Sequence, residues 1–216
     1  MKTTLMAATA AASLIAASAA AAAPPTPHQL SIAASSPRVV FGQKVALTGQ
    51  LTGEASGGET VTLEEDPFPF GDFKNSVSTL TAADGTYRFE RTPSLNVRYR
   101  ADAKSKEPAT SPEVTVLVAP KIDFTVADTT PKAGQKVKFS GTLAPAHDGL
   151  KASIQRRTSK GGYKAVARAT LTDAGDAVSN WKRTLTINST GTFRVVLASH
   201  DDHATGKSRR IKLTVK

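Results

Sequence analysis

The chain has 216 residues, 39% of them hydrophobic and none of them cysteine, and its formal net charge is +10. This length is enough for two domains of ordinary size. The lack of cysteine excludes both a disulfide framework and a lipid anchor on a cysteine, so apolar burial alone must stabilise the fold.

The first 23 residues have the pattern of an export signal. Lys2 supplies a positive start, an alanine-rich apolar stretch follows, and small residues up to Ala23 offer cleavage sites. We predict a signal peptide over 1–23 and an extended, proline-rich leader over 24–28. An uncleaved membrane anchor is the alternative, which the weak hydrophobicity of alanine disfavours. The mature protein is therefore expected to be secreted, with no membrane span, and either free or associated with the cell wall.

A long internal repeat divides the rest of the chain. The segment from Gly42 to Leu51 recurs from Gly134 to Leu143, 92 residues further on. A repeat of this length corresponds to a whole domain, because the units of solenoid proteins are shorter. We therefore predict one domain over 29–119 and a second domain over 120–216, joined by a very short connection near Pro120.

Short alternating runs of apolar and polar residues, separated by Gly, Pro and Asp, predict β-strands in both domains. In the first domain the predicted strands are Gln29–Ala34, Lys44–Leu51, Thr60–Glu64, Ser78–Thr81, Tyr87–Arg91, Val97–Ala101 and Val114–Val118. In the second they are Ile122–Val126, Lys136–Leu143, Ala152–Arg157, Tyr163–Leu171, Trp181–Ile187, Thr192–Ala198 and Arg210–Val215. Seven short strands per domain predict an all-β protein with two tandem immunoglobulin-like β-sandwich domains.

Several short motifs carry a resemblance to a known group of proteins. They are Gly42-Gln43-Lys44-Val45 with Gly49, Asp66–Gly71, Asp84–Phe89, Asn96–Arg100, Gly162-Tyr163, Trp181 and Gly191–Arg194. Through these motifs the chain resembles the bacterial immunoglobulin-like repeats of exported actinobacterial proteins. The resemblance implies a spacer or adhesion scaffold and carries over no catalytic residue. The chain departs from antibody-type domains in having no cysteine pair, and its Trp181 lies on the fifth predicted strand of its domain.

Charge distinguishes the two copies. Residues 24–119 contain nine Lys and Arg against eleven Asp and Glu, whereas residues 120–216 contain eighteen against seven. Strand periodicity, with the third, sixth and seventh strands in one sheet, predicts one basic outer face in the second domain. Its residues are Lys151, Arg157, Arg194, Arg210, Lys212 and Lys216. Such a face suits an anionic polymer, bound in a salt-dependent way, although a purely solubilising charge is the alternative.

A proline-rich loop in the first domain contains three phenylalanines, Phe68, Phe70 and Phe73. If they are exposed, they form an aromatic patch suited to a partner protein. If they are buried, they close the open end of the sandwich, which is the energetically cheaper arrangement. Trp181, the only tryptophan, is expected in the core.

Two polar clusters have both a functional and a structural interpretation. The run His200-Asp201-Asp202-His203 has metal-ligand residue types, but it falls between two predicted strands, where a polar hairpin tip is ordinary. The adjacent Glu64, Glu65 and Asp66 suit acid–base chemistry or calcium, although solvated carboxylates at a strand end are common. No nucleophile elbow or phosphate-binding glycine loop occurs. We therefore predict no enzyme activity, no metal and no cofactor.

These observations together predict an exported, non-enzymatic binding or spacer protein of the bacterial envelope. The second domain would attach electrostatically to an anionic wall polymer, and the first would project outward. The alternative is a protein–protein interaction module that uses the Phe-rich loop to bind another envelope protein. A small-molecule substrate is not expected. Sequence-specific nucleic-acid binding is not expected either, because no stacking aromatic accompanies the basic positions.

Overall fold

The computed structural model describes residues 27–105 and 107–216, and every regular element in them is a β-strand. The all-β prediction is confirmed. The predicted signal peptide and most of the predicted leader lie outside the described residues. Within the described part, no helix is long and apolar enough to cross a membrane.

The first domain contains ten strands, several of them short. They are β1 (Gln29–Leu30), β2 (Ala33–Ala34), β3 (Arg38–Val40), β4 (Val45–Thr52), β5 (Thr60–Pro67), β6 (Lys74–Leu80), β7 (Thr86–Arg91), β8 (Val97–Ala103), β9 (Ala109–Thr110) and β10 (Val114–Ala119). Strands β7 and β8 follow the alternating pattern of the sequence, because one side of each is buried in the sandwich, whereas the edge strand β6 is exposed along nearly its whole length. Strands β3 and β9 were not predicted, since two or three residues are too few to show a period.

Two sheets face each other in the first domain. One joins β1 and β2 to β4, and β4 to β7; the other has the order β3-β10-β8-β5-β6. All pairs are antiparallel except β3 with β10, which is parallel. Third, sixth and seventh long strands in one sheet are the immunoglobulin arrangement. The core between the sheets includes Leu47, Leu63 and Tyr99, all fully buried.

The second domain repeats this plan. Its strands are β11 (Lys121–Ile122), β12 (Thr125–Val126), β13 (Gln135–Ala144), β14 (Lys151–Arg157), β15 (Tyr163–Thr170), β16 (Thr172–Asp173), β17 (Ser179–Ile187), β18 (Gly191–Leu197), β19 (Gly206–Lys207) and β20 (Ile211–Leu213). One sheet joins β11 and β12 to β13, β17 and β16, and the other has β15-β14-β18 with β19 and β20 on β18. Its core is richer in aromatics: Phe124, Phe139, Phe193 and Trp181 pack together, as predicted for the tryptophan.

Close backbone approach explains why glycine recurs within the repeat. In β4, a Cβ atom at Gly49 would overlap the carbonyl oxygen of Ser31, and in β13 a Cβ at Gly141 would overlap that of Asp123. Both glycines therefore let the chain between two short strands, β1 and β2 or β11 and β12, lie close against the strand with which they pair. Glycine occurs at the same place in both repeats because the two domains share this packing requirement.

The two domains meet through their loops as well as through the chain. Strand β10 ends at Ala119 and β11 begins at Lys121, so the connection is a single residue, Pro120. The loop between β18 and β19 lies against the first domain, where the Ala204 amide donates to the Val118 carbonyl at 2.8 Å. The Asn96 amide donates to the Asp202 carbonyl at 2.9 Å. The junction is therefore held by backbone hydrogen bonds from both sides.

Candidate functional site

The outer face of the sheet β15-β14-β18-β20 carries the predicted basic residues. In β18, Arg194 lies between the buried Phe193 and Val195 and so points outward. Register places Arg194 opposite Gln155 of β14, and Arg157 opposite Tyr163 of β15. Lys212 lies opposite Thr192, so Arg157, Arg194 and Lys212 share one face.

The remaining predicted residues lie around this group. Lys151 is exposed at the other end of β14, opposite Thr170. Arg210 immediately precedes β20, and its guanidinium lies 6.0 Å from the ring centre of Tyr163. Lys216 follows the end of β20, where its amide donates to the Pro131 carbonyl at 3.0 Å. We call the outer side of these strands, with Lys151, Arg157, Arg194, Arg210 and Lys212, the basic face. Lys216, the sixth predicted residue, lies beyond the end of β20 and is not counted in it.

An aromatic side chain lies within the basic face, contrary to the sequence-based expectation. The guanidinium of Arg194 stacks 3.7 Å from the centre of the Tyr163 ring, and its Nε donates to Oε1 of Gln155 at 2.9 Å. Sequence reasoning missed this contact because it depends on register. The pairing of β14 with β15 shifts after Ile154, which sets Tyr163 opposite Arg157.

Two further basic residues extend the face and were also missed. Arg168 of β15 lies opposite Ser153, Ser153 lies opposite Val196, and Val196 lies opposite Lys207 of β19. The four residues form one row across the outer side of the sheet, with a cation at each end. The period-two pattern of β15 could have located Arg168 if the register shift had been known.

The basic face contains no acidic residue. Strands β14, β15, β18, β19 and β20 have no Asp or Glu in their sequences. Among residues 27–105 and 107–216, every ion pair between Lys or Arg and a carboxylate lies in the first domain. In the described part of the second domain, no Lys or Arg therefore has a carboxylate partner within ion-pair distance.

The corresponding face of the first domain is neutralised. On the outer side of β5 and β8, Glu64 pairs with Arg100 at 2.5 Å and Asp66 pairs with Arg98. Arg98 also reaches Glu113 at 3.5 Å. Burial would raise the pKa of Asp66, but hydrogen bonds from the Gly71 amide and Arg98, together with the Arg98 charge, outweigh it and lower that pKa.

This pairing also answers the question of the three adjacent carboxylates. Alternation sends Glu64 and Asp66 to the outer side of β5, whereas Glu65 pairs at 2.5 Å with Arg91. Each carboxylate thus has its own arginine, and the group does not converge on a common point. The arrangement fits neither a calcium site nor an acid–base pair.

The three phenylalanines of the Pro-rich loop lie outside the core. Phe70 is 38% exposed and packs edge-on against Phe68 at 5.7 Å between ring centres. Phe73 is half-buried beneath Arg100, whose guanidinium is 4.3 Å from the ring centre. The Phe68 amide donates to the Asn96 carbonyl at 2.9 Å, so the loop lies near the domain junction. None of the three rings belongs to the hydrophobic core of the first domain.

A second polar site lies at the domain junction and joins residues distant in sequence. His200 and His203 lie on the loop between β18 and β19, as the sequence predicts, and form an isolated bridge with each other. The loop between β13 and β14 adds His147, whose ring centre is 4.7 Å from that of His200 and 4.9 Å from that of His203. Sequence gave no signal for this addition, because only the fold brings the two loops together.

The electrostatics of this junction cluster are governed by burial and by one carboxylate. Burial lowers the pKa of His147, with the neighbouring His203 and His200 acting in the same direction. Burial would raise the pKa of Asp202, but the hydrogen bond from His200 and the adjacent His203 outweigh it and lower that pKa. Near neutral pH the cluster thus contains a neutral His147 and an ionised Asp202.

Comparison with known proteins adds little to these observations. No protein-family model matches the chain, and no curated protein matches it either. Among solved structures, the crystal structure of bovine butyrophilin is similar, with a TM-score of 0.42 and 10% identity over 87% of this chain and 99% of that one. The sheet order itself defines the class: the protein consists of two tandem immunoglobulin-like β-sandwiches. No family match supports the narrower resemblance to exported actinobacterial repeats.

Proposed function

We propose that this chain is an exported, non-enzymatic binding protein of the bacterial envelope, in which the basic face attaches to an anionic wall polymer. One observation carries the proposal: the basic face has no carboxylate, whereas on the equivalent face of the first domain three carboxylates pair with Arg98 and Arg100. Unpaired cations on a flat sheet attract counterions, and a polyanion that displaces them gains their release entropy.

The shape of the face supports a polymer over a small ligand. Its cations are spread along a sheet surface from Lys151 at one end to Arg210 at the other, rather than gathered in a cleft. Repeating phosphate or carboxylate groups match such a row, and a single small anion does not. Export is supported by the signal-like segment over 1–23, and the resemblance to actinobacterial repeats suggests a spacer role for the first domain.

The test is co-sedimentation of the protein with purified cell walls over a salt series. We expect retention at low salt that is lost at high salt and after removal of the anionic polymers. Arg157→Glu, Arg194→Glu and Arg210→Glu combined should weaken retention at least about tenfold, because three phosphate-type contacts become repulsive.

A matched control separates a specific face from net charge. Lys136→Glu, Lys138→Glu and Lys182→Glu make the same charge change on exposed positions of the opposite sheet, in β13 and β17. This control should retain most of its binding. Equal losses in the two triple variants would contradict a role for the basic face in particular.

A second candidate function has its own observation. Phe70 is exposed on a loop whose other rings also lie outside the core, which favours capture of an envelope protein partner. Phe70→Ser should then abolish partner capture from an envelope extract with unchanged thermal stability and unchanged wall binding. Loss of stability instead would show that the ring supports the loop.

A further inference from the structure

The junction cluster consists of three imidazoles and one carboxylate supplied by two loops of the second domain. His147 comes from the loop between β13 and β14, and His200, Asp202 and His203 come from the loop between β18 and β19. One ligand atom from each of His147, His200 and Asp202 lies within 4.8 Å of the other two. The cluster is built on other elements than the basic face, so it calls for a separate explanation.

The hydrogen bonds of the rings determine which nitrogens carry protons. Nδ1 of His147 lies 2.7 Å from the Pro145 carbonyl oxygen, which can only accept, so Nδ1 is the protonated nitrogen. Nδ1 of His200 lies 2.9 Å from Oδ1 of the Asp202 carboxylate and donates to it in the same way. In the neutral rings, each Nε2 then carries a lone pair.

These lone pairs are buried and lack partners. Nε2 of His147 and Nε2 of His200 are both shielded from solvent and have no hydrogen-bond partner among the described residues. His147 as a whole is only 9% exposed. A buried acceptor without a donor is costly, and a cation bound at Nε2 of His147 would remove that cost.

The third ring contacts both the first domain and the same carboxylate. Nε2 of His203 lies 2.8 Å from the Ser94 carbonyl oxygen and donates to it, so this ring too has its proton fixed on one side. Its Nδ1 is buried and lies 3.1 Å from Oδ2 of Asp202 without hydrogen-bond geometry.

We propose that His147, His200 and Asp202 form a binding site for a divalent transition metal of the zinc type. His147 already has the orientation of a metal ligand, because its Nδ1 donates to a carbonyl and its Nε2 is free. His200 would bind through Nδ1, the atom that now hydrogen bonds to Asp202, with the metal taking the place of the shared proton. Two imidazoles and a carboxylate suit Zn²⁺, whereas Ca²⁺ and Mg²⁺ require more oxygen ligands. His203 contacts the Asp202 carboxylate through Nδ1 and Ser94 of the first domain through Nε2.

The geometry requires little rearrangement. Ligands about 2.1 Å from zinc lie about 3.4 Å apart in a tetrahedron, so atoms now within 4.8 Å need to approach by roughly 1.5 Å. Both ligand loops are surface segments between strands, which can make such a movement. Because the Asp202 carbonyl accepts from Asn96 and His203 donates to Ser94, the metal would also tighten the contact between the two domains.

The test titrates the protein, produced without a histidine tag, with ZnCl₂ alone. Native mass spectrometry should show one zinc per chain, and calorimetry should show a single site that Ca²⁺ does not occupy. His147→Ala and His200→Ala should each weaken zinc binding at least about tenfold. His28→Ala is the matched control, because His28 lies in the first domain and hydrogen bonds to Ser105 there.

Co²⁺ in place of Zn²⁺ provides a second readout that does not depend on variants folding. Visible absorption of four-coordinate Co²⁺ is expected in the parent protein, and far-UV circular dichroism checks that each variant keeps its β structure. Absence of stoichiometric zinc in the parent protein would overturn the proposal. So would zinc binding that the folded His147→Ala and His200→Ala variants retain unchanged.

Discussion

The equivalent outer faces of the two domains have the same architecture but differ in charge. In the first domain, Nε of Arg100 in β8 donates to Glu64 in β5. In the second domain, Nε of Arg194 in β18 donates to Gln155 in β14. The hydrogen bond is retained while one negative charge is removed. Three carboxylates of the first face are replaced at matching register positions: Glu64 by Gln155, Asp66 by Arg157 and Glu113 by Arg210.

The aromatic residue of each face is also equivalent. Phe73 precedes β6 and lies beneath Arg100, and Tyr163 begins β15 and lies beneath Arg194. The pairing of the two strands shifts at the same place in both copies, after Leu63 and after Ile154. Duplication thus preserved the backbone and the stacked arginine while the surrounding charge diverged. A difference confined to charge concerns a partner, since the fold is common to both.

The largest predicted effect is on stability, and it tests the glycine that the two domains share. Gly49→Ala and Gly141→Ala should each destabilise their own domain by about 2–3 kcal/mol, because the new Cβ meets the backbone of Ser31 or Asp123. Gly71→Ala, at a position with open space, is the control and should be near neutral. Urea unfolding measures both, with Trp181 fluorescence reporting on the second domain. Very unequal losses at the two glycines would contradict an equivalent backbone approach in the two domains.

The next largest effect is also on stability, and it tests a position at which the two domains differ in charge. Asp66→Ala should destabilise the first domain by about 2 kcal/mol, because Arg98 and the Gly71 amide lose a buried partner. Arg157→Ala, at the equivalent position, should stay within about 0.5 kcal/mol, since no carboxylate pairs with it. Similar losses in thermal unfolding would show that Arg157 contributes to stability rather than to binding.

The contribution of Asp66 has a defined pH dependence. Its folded-state pKa is lowered from an ordinary value near 3.8, so the ionised form stabilises the fold fully above that value. This stability is lost as the pH falls through the folded-state pKa. The stability difference between the parent protein and Asp66→Ala should therefore shrink below about pH 4. A difference that stays constant down to pH 2 would argue against a role for the charge.

A smaller effect concerns binding by the basic face. Gln155→Glu, Arg157→Asp and Arg210→Glu combined would give the second domain the acidic residues of the first. Binding to polyphosphate at low salt should fall about tenfold or more, and the salt dependence should become shallower, because fewer counterions are released. The reverse substitution Glu64→Gln in the first domain serves as the control for hydrogen bonding without charge. Unchanged polyphosphate binding by the triple variant would show that the charge difference between the two faces does not determine binding.

The smallest predicted effect is on polyphosphate binding, and it tests the contribution of Tyr163 alone. Tyr163→Leu removes the ring beneath Arg194 and should weaken polyphosphate binding about two- to fivefold, because the guanidinium loses its preferred orientation. Tyr163→Phe keeps the ring face and should restore the affinity. Equal weakening by both variants would assign the effect to the hydroxyl group instead.

Much of the fold could be predicted from the sequence, because the alternation of apolar and polar residues along a strand is a local property. The runs around Leu47, Phe89 and Phe193 place alternate residues in the core, and the structure has strands at each of them. The stacking of Tyr163 under Arg194 did not follow, since the register shift in β15 is set by pairing with β14. Nor did the addition of His147 to the junction cluster, which depends on how two loops meet.

The parallel pairing of terminal strands has a mechanical consequence. Strand β3 near the start of the first domain lies parallel to β10 at its end, with Arg38, Val39 and Val40 opposite Leu117, Val118 and Ala119. In the second domain, Thr214 and Lys216 donate from the last segment to Thr129 and Pro131 near the first. Tension applied to the two ends of a domain loads such bonds in shear, so they must break together rather than one after another. A tethered chain built this way resists stretching along its length.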